Sequence, residues 1–156
     1  MEASVEFKGV DELARKLKLL ADSKSARRIA RKSSRQAMNL VRNSAREKAK
    51  RIDDRETREK IWKNIMTQGG KTKDANLILM RVGVRGGASM NSKSNRQALE
   101  SLSGGNTTYW RHIEFGNSHQ PAVPFMRPAL AENIDSVINR FGQVFGSELD
   151  KELSKL

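Results

Sequence analysis

The chain has 156 residues, of which 37% are hydrophobic and 31% charged, and its 30 Lys and Arg against 18 Asp and Glu give a net charge of +12. This length suits a single domain, residues 1–156, that can bury a real core. The lack of cysteine excludes disulfides, thiolate metal sites and cysteine nucleophiles. No run of about 18 apolar residues and no charged-then-apolar leader occurs, so the expectation is a soluble chain made in the cytosol, with no membrane span.

Val5 and Phe7 alternate with Glu6 and Lys8, the pattern of a short half-buried strand that Gly9 breaks. Asp11 to Leu20 follows as a helix with Leu13, Leu17 and Leu20 on one face. From Ser23 to Arg51, eleven cations, including Arg27, Arg28, Arg31, Lys32, Arg35, Arg42 and Arg46, stand against the single acid Glu47 and carry +10 of the net charge. Ile29, Ala30, Ala37, Val41, Ala45 and Ala49 recur at three- and four-residue steps, so this is a long helix with a narrow, small-sided buried stripe. Two readings of its cations stay open. They contact phosphates in a salt-dependent, sequence-independent way, or they face an acidic neighbour or water. No aromatic lies between them, which argues against single-strand binding.

Asp53-Asp54-Arg55-Glu56 has capping-box spacing, and a helix to about Asn64 is predicted after it. The alternative is a strand over Ile61 to Thr67 that turns at Gln68-Gly69-Gly70. Leu77 to Val84 is the best strand, with Ile78, Met80, Val82 and Val84 on one apolar face, which places it inside a sheet rather than at its edge. Between Arg85 and Thr108, 14 of 24 residues are Gly, Ser, Asn or Thr. The expectation there is a loop that is mobile in the isolated subunit, with one short helix at Arg96 to Leu102.

The stretch that follows gathers all three prolines, both histidines, the only tyrosine and four of the eight aromatics. Thr108 is the expected N-cap of a helix from Tyr109 to Phe115 that Gly116 ends. Pro121, Pro124 and Pro128 bias the residues before them toward extended backbone, so Asn117 to Met126 is expected to be a stiff strap. Pro128 then opens a final helix to about Leu149, with a stripe of Leu130, Ile134, Val137, Phe141, Val144 and Phe145 that covers the sheet. Residues 150–156 are expected to fray. Phe115, Phe125 and Leu130 should close the core, Arg127 should pair with Glu114, and Asn117 to Gln120 should offer a neighbour a polar edge at little entropic cost.

Catalytic readings find little support. His112 and Glu114 would lie about 200 degrees apart on a helix, with His119 beyond its end, a poor set for a metal. Gly83, Gly86 and Gly87 lack the Lys-Ser/Thr of a phosphate loop. No catalytic residue, metal ligand or cofactor site is assigned.

Glu114-Phe115-Gly116, then Pro121-Ala122, then Pro124-Phe125-Met126-Arg127-Pro128-Ala129-Leu130 resembles the signature of the tail-completion family of long-tailed bacteriophages. That family's wording is a Tyr-containing helix, here with Tyr109, then Glu-Phe-Gly-Thr, Pro-Ala and Pro-Phe-Leu-Arg-Pro-Ala-Leu. Asn117 stands where the family has Thr, and Thr57-Arg58 where it has Thr-Gly. The resemblance implies a structural virion protein that completes the tail and joins it to the head. It further implies a homo-hexameric ring at the head-proximal end of the tail, between a tail tube protein and a head-side connector, with viral DNA in the lumen and assembly in the host cytoplasm. The alternatives from other classes are a basic double-stranded-DNA-binding module and, behind it, a metal-dependent nuclease. The expected fold is α+β: a small mixed or antiparallel sheet packed against the long basic helix and a long C-terminal helix, with a long polar loop.

Overall fold

The computed structural model describes residues 9–53, 55–87 and 89–155. The strand expected at Val5 to Phe7 lies outside them. Helix α1, Val10–Ala21, and helix α2, Ser23–Lys50, share one hinge residue. Asp22 closes α1 with its backbone N–H on the Leu19 carbonyl, and its carboxylate accepts the Lys24 and Ser25 N–H groups at the start of α2. An acidic side chain at this position satisfies N–H groups that have no partner within the helix.

Along α2, Ile29, Ser33, Ala37, Val41, Ala45 and Ala49 are all at most 2% exposed. This is an uninterrupted four-residue ladder. Each step advances about 40 degrees around the helix, so the buried stripe winds from one side at the N-terminal end to nearly the opposite side at the other. One helix therefore packs on different elements along its length. Ser33, the polar rung, donates its hydroxyl to the Ile29 carbonyl at 2.8 Å and needs no outside partner.

After α2 come a single helical turn α3, Ile61–Asn64, and strands β1, Ile65–Gly69, and β2, Met80–Val84. The strands pair antiparallel, from Ile65 opposite Val84 to Gly69 opposite Met80. Both sequence alternatives for this region thus hold in part, the turn of helix running directly into the strand. The turn expected at Gln68-Gly69-Gly70 is corrected, since Gln68 and Gly69 pair with Arg81 and Met80 inside the hairpin and the chain turns back only after them. The capping-box expectation is corrected: the Asp53 carboxylate reaches eight residues ahead and accepts the N–H groups of Ile61 (2.9 Å) and Trp62 (3.2 Å). Among the described residues β2 pairs on one side only, so it is not an interior strand, and Leu77 and Leu79 before it are exposed.

The polar loop is tied down at its far end. Buried Asn64 donates to the Gly105 carbonyl and the Thr107 hydroxyl, and its own side-chain carbonyl accepts the Gly104 N–H. Gly104 sits so close that a Cβ there would lie 2.1 Å from the Lys60 carbonyl oxygen. The short helix in the loop, α4, spans Arg96–Glu100 and buries Leu99.

Helix α5, Trp110–Phe115, is followed by α6, Met126–Ala131, and α7, Ile134–Leu153. The single last helix expected from Pro128 is therefore two. It starts at Met126, two residues earlier, and breaks at Glu132 and Asn133, where the Asn133 side chain donates to the Ala129 carbonyl at 2.8 Å. Helix α7 continues to Leu153 and lies along α2, with Val144 and Leu149 buried. The central cluster joins Val41, Ala45 and Ala49 of α2 to Ile61, Ile65, Phe125 and Ala129, with Val82, Val84 and Val137 packed against it. The fold class expected from the sequence, α+β with two long helices against a small sheet, is the one observed.

Candidate functional site

Two regions concentrate the charged and aromatic residues singled out in the sequence. The first is a clasp built on Glu114. Helix α5 carries this carboxylate into the interior, where the residue is 1% exposed. One carboxylate oxygen accepts the N–H groups of Phe125 and Met126 at 2.7 and 2.9 Å, and the other accepts the Arg127 N–H at 2.9 Å. The Arg127 guanidinium adds Nε at 3.2 Å to the carboxylate and Nη2 at 2.8 Å to the Glu114 carbonyl. One side chain thus caps the start of α6 and ties it to α5, eleven or more residues earlier in the chain.

Burial, the largest single influence on the Glu114 carboxyl, raises its pKa. The three backbone N–H groups and Arg127 together outweigh it, and the pKa is held below the ordinary glutamate value. The clasp therefore holds an ionised carboxylate near neutral pH. All of its ligands are hydrogen-bond donors already in use, an arrangement suited to holding backbone in place.

Gly116 makes the clasp sterically possible. Its φ is 71°, and a Cβ there would approach the Ala122 backbone N to 2.7 Å. The chain does not continue as an extended strap from Asn117. It turns tightly, with Asn117 and Gln120 bridged through both backbone groups and the Asn117 carboxamide accepting the His119 N–H. Only after this turn does the proline-fixed segment run without helix or strand, held by the Val123 N–H on the Ile113 carbonyl at 2.8 Å. The turn competes successfully because Asn satisfies backbone donors locally, while the nearest proline constrains Gln120 and not Asn117.

Phe125 is fully buried and meets Trp110 edge to face at 6.4 Å. Phe115 and Leu130, expected in the core, are 53% and 49% exposed. Phe115 instead lies under the Arg127 guanidinium at 4.7 Å, with Arg111 at 5.9 Å. Thr108 does not cap α5: its hydroxyl donates to Asn106, and the Trp110 N–H is taken by the Thr107 carbonyl. Tyr109 and Pro128 are half-buried, while Pro121 and Pro124 are exposed. Both histidines are exposed, and no group of three His, Asp or Glu among the described residues could hold a metal.

The second region is the basic surface of α2, and the structure divides it. Arg28 pairs with Glu152 at 2.8 Å, Lys32 with Glu148 at 2.7 Å and Lys48 with Glu132 at 2.7 Å, so this edge faces α7 and the turn before it. Arg46 donates twice to the Ile65 carbonyl, at 2.9 and 2.6 Å, and serves the start of β1. Arg42 is held against Asn43. Arg27, Arg31 and Arg35 have no ion pair among the described residues, and the Nε of Arg27 is buried without a hydrogen-bond partner.

Sequence reasoning missed the roles of four residues. Asn64 and Asp53 act over long sequence separations: no local pattern marks Asn64, and the capping-box spacing at Asp53 pointed to the next turn rather than to Ile61 and Trp62. Lys71 and Lys73 stand in the β1–β2 connection opposite Arg27 and Arg31. Their signal was the pair of cations beside Gly69-Gly70 between two strands.

A family model described as "Bacteriophage HK97-gp10, putative tail-component" matches residues 11–116. The matched span takes in α1, α2, the hairpin and Glu114 itself, and ends just before the turn that leads to Arg127. Comparison with curated proteins and with solved structures gives no match.

Proposed function

Since this chain belongs to the bacteriophage HK97-gp10-like family of tail components, a structural role in the virion is its premise, and we propose that it completes the tail and joins it to the head as a closed ring of identical subunits. The carrying observation is the Glu114 clasp, which fixes α5, the Asn117–Gln120 turn and α6 as one preformed surface. A subunit whose contact surface is already ordered loses little conformational entropy when it assembles.

Two separate apolar stripes support the ring. Leu13, Leu17 and Leu20 of α1 are 56%, 58% and 38% exposed, and Leu130, Ile134 and Ile138 of α6 and α7 are 49%, 51% and 63% exposed. Large exposed apolar residues grouped in this way mark contact surfaces. A head-to-tail ring needs two different surfaces on each subunit, because one half of the contact must meet the other half on the next copy. The ring is hexameric, sits at the neck between tail tube and head-side connector, and assembles in the host cytoplasm. The chain acts as a joint and catalyses nothing.

Electron microscopy and native mass measurement of the purified chain, alone and with its tail tube protein, test this reading. Rings of one repeating subunit are expected. A chain that stays monomeric with the tube protein present overturns it.

A further inference from the structure

We infer that the cleft between the N-terminal half of α2 and the β1–β2 connection binds the phosphate backbone of duplex DNA. Arg27 and Arg31 form one wall, and the segment from Gly70 to Ile78, with Lys71 and Lys73, forms the other, around a volume of about 550 Å³. Arg35 continues the same row one turn on.

Three observations carry the inference. The first is that these cations are unused. Their neighbours Arg28 and Lys32, one position further around the helix, are matched to Glu152 and Glu148, whereas Arg27, Arg31, Arg35, Lys71 and Lys73 have no carboxylate among the described residues. The second is that the one acid on the cleft wall, Asp74, is turned to its own loop, accepting the Asn76 N–H at 2.8 Å. The third is that the buried Arg27 Nε has no acceptor. A buried donor of this kind costs free energy unless a ligand supplies the acceptor.

The chemistry favours phosphate. Arginines four residues apart on a helix are about 6 Å apart along its axis, close to the roughly 6.8 Å spanned by two phosphate steps of one DNA strand. The guanidinium fork matches phosphate oxygens in pairs. No aromatic lines the cleft among the described residues, so bases have nothing to stack on there, and a duplex fits better than a single strand. Attraction to the backbone phosphates needs no base-edge contact, so the contact is independent of sequence. The cleft belongs to one protomer, and its binding does not depend on a ring.

The test is a fluorescence titration of the whole chain with a labelled mixed-sequence duplex over a series of salt concentrations. The parent should bind with log affinity falling linearly against log salt. Lys71→Gln with Lys73→Gln, in an exposed loop where folding is not at stake, should lower that slope by about 2, and Arg27→Gln with Arg31→Gln should do the same. Arg28→Gln with Lys32→Gln removes the same formal charge and should leave the slope as in the parent. No salt-dependent binding by the parent overturns the inference. So does an equal loss in the Arg28 and Lys32 control, which would mean diffuse attraction. Polyglutamate that displaces the duplex more effectively than unlabelled duplex would assign the cleft to an acidic protein, and also overturns it.

Discussion

The Glu114 clasp and the basic row of α2 place charge in opposite ways. In the clasp, one buried carboxylate has four donors around it, and every one belongs to the segment it fixes. On α2 the charges are many and lie mostly at the surface, some matched by α7, the turn before it or a nearby carbonyl, while Arg27, Arg31 and Arg35 have no ion pair among the described residues. A charge taken out of water must be fully matched and then specifies geometry, whereas a charge left in water contributes little to the fold and stays free for long-range attraction. The same residue types therefore hold the molecule together in one region and leave it open to a partner in the other.

The contrast can be tested from both ends, beginning with what the clasp positions. Phe125, fully buried against Trp110, leaves a large cavity on truncation. Phe125→Ala should cost roughly 3–5 kcal/mol in denaturant unfolding, and a variant that melts like the parent would remove Phe125 from the core. Glu114→Gln keeps the shape but loses the charge and turns an amide donor toward existing donors. About 2–3 kcal/mol should be lost.

This substitution also isolates a pH effect. The folded carboxyl has a lower pKa than the unfolded one, so the unfolded chain takes up its proton first as the solution is acidified. The stabilisation from Glu114 is complete above the unfolded value of about 4.3 and is lost as pH falls through the lower folded value. Unfolding of Glu114→Gln followed across that acid window should show a shallower fall than the parent, and an identical fall would mean that the carboxylate is not the titrating group. At the small end stands Lys32→Ala, which removes an exposed pair with Glu148. It should shift stability by no more than about 1 kcal/mol, and a loss comparable to that of Glu114→Gln would erase the distinction between the two regions.

The long basic helix was legible because a four-residue ladder of small side chains is a local pattern that survives any packing partner. The end of α5 was legible because Gly116 occupies a backbone conformation that other residues rarely adopt. The pairing of Glu114 with Arg127 was read from opposite charge alone. The three N–H groups that complete the clasp could not be, since backbone donors carry no mark in a sequence. The break at Glu132 and Asn133 was also hidden, because the apolar stripe runs through it without a change of period. Phe115 was misplaced for a related reason: an aromatic before a capping glycine reads as core, and only the position of Arg127 over its ring explains its exposure.

By itself, the sequence determined the helices with clear periodicity, the second strand of the hairpin, the crowding of rigid residues between Tyr109 and Pro128, and the excess of positive charge. The tertiary structure alone decided which cations find acids on α7 and which do not, that Asp53 caps a turn eight residues away, and that Asn64 anchors a polar loop. The physical reason is range. Periodicity and backbone preference act between residues a few positions apart, whereas the matching of a buried or exposed charge depends on which distant segment packing brings beside it.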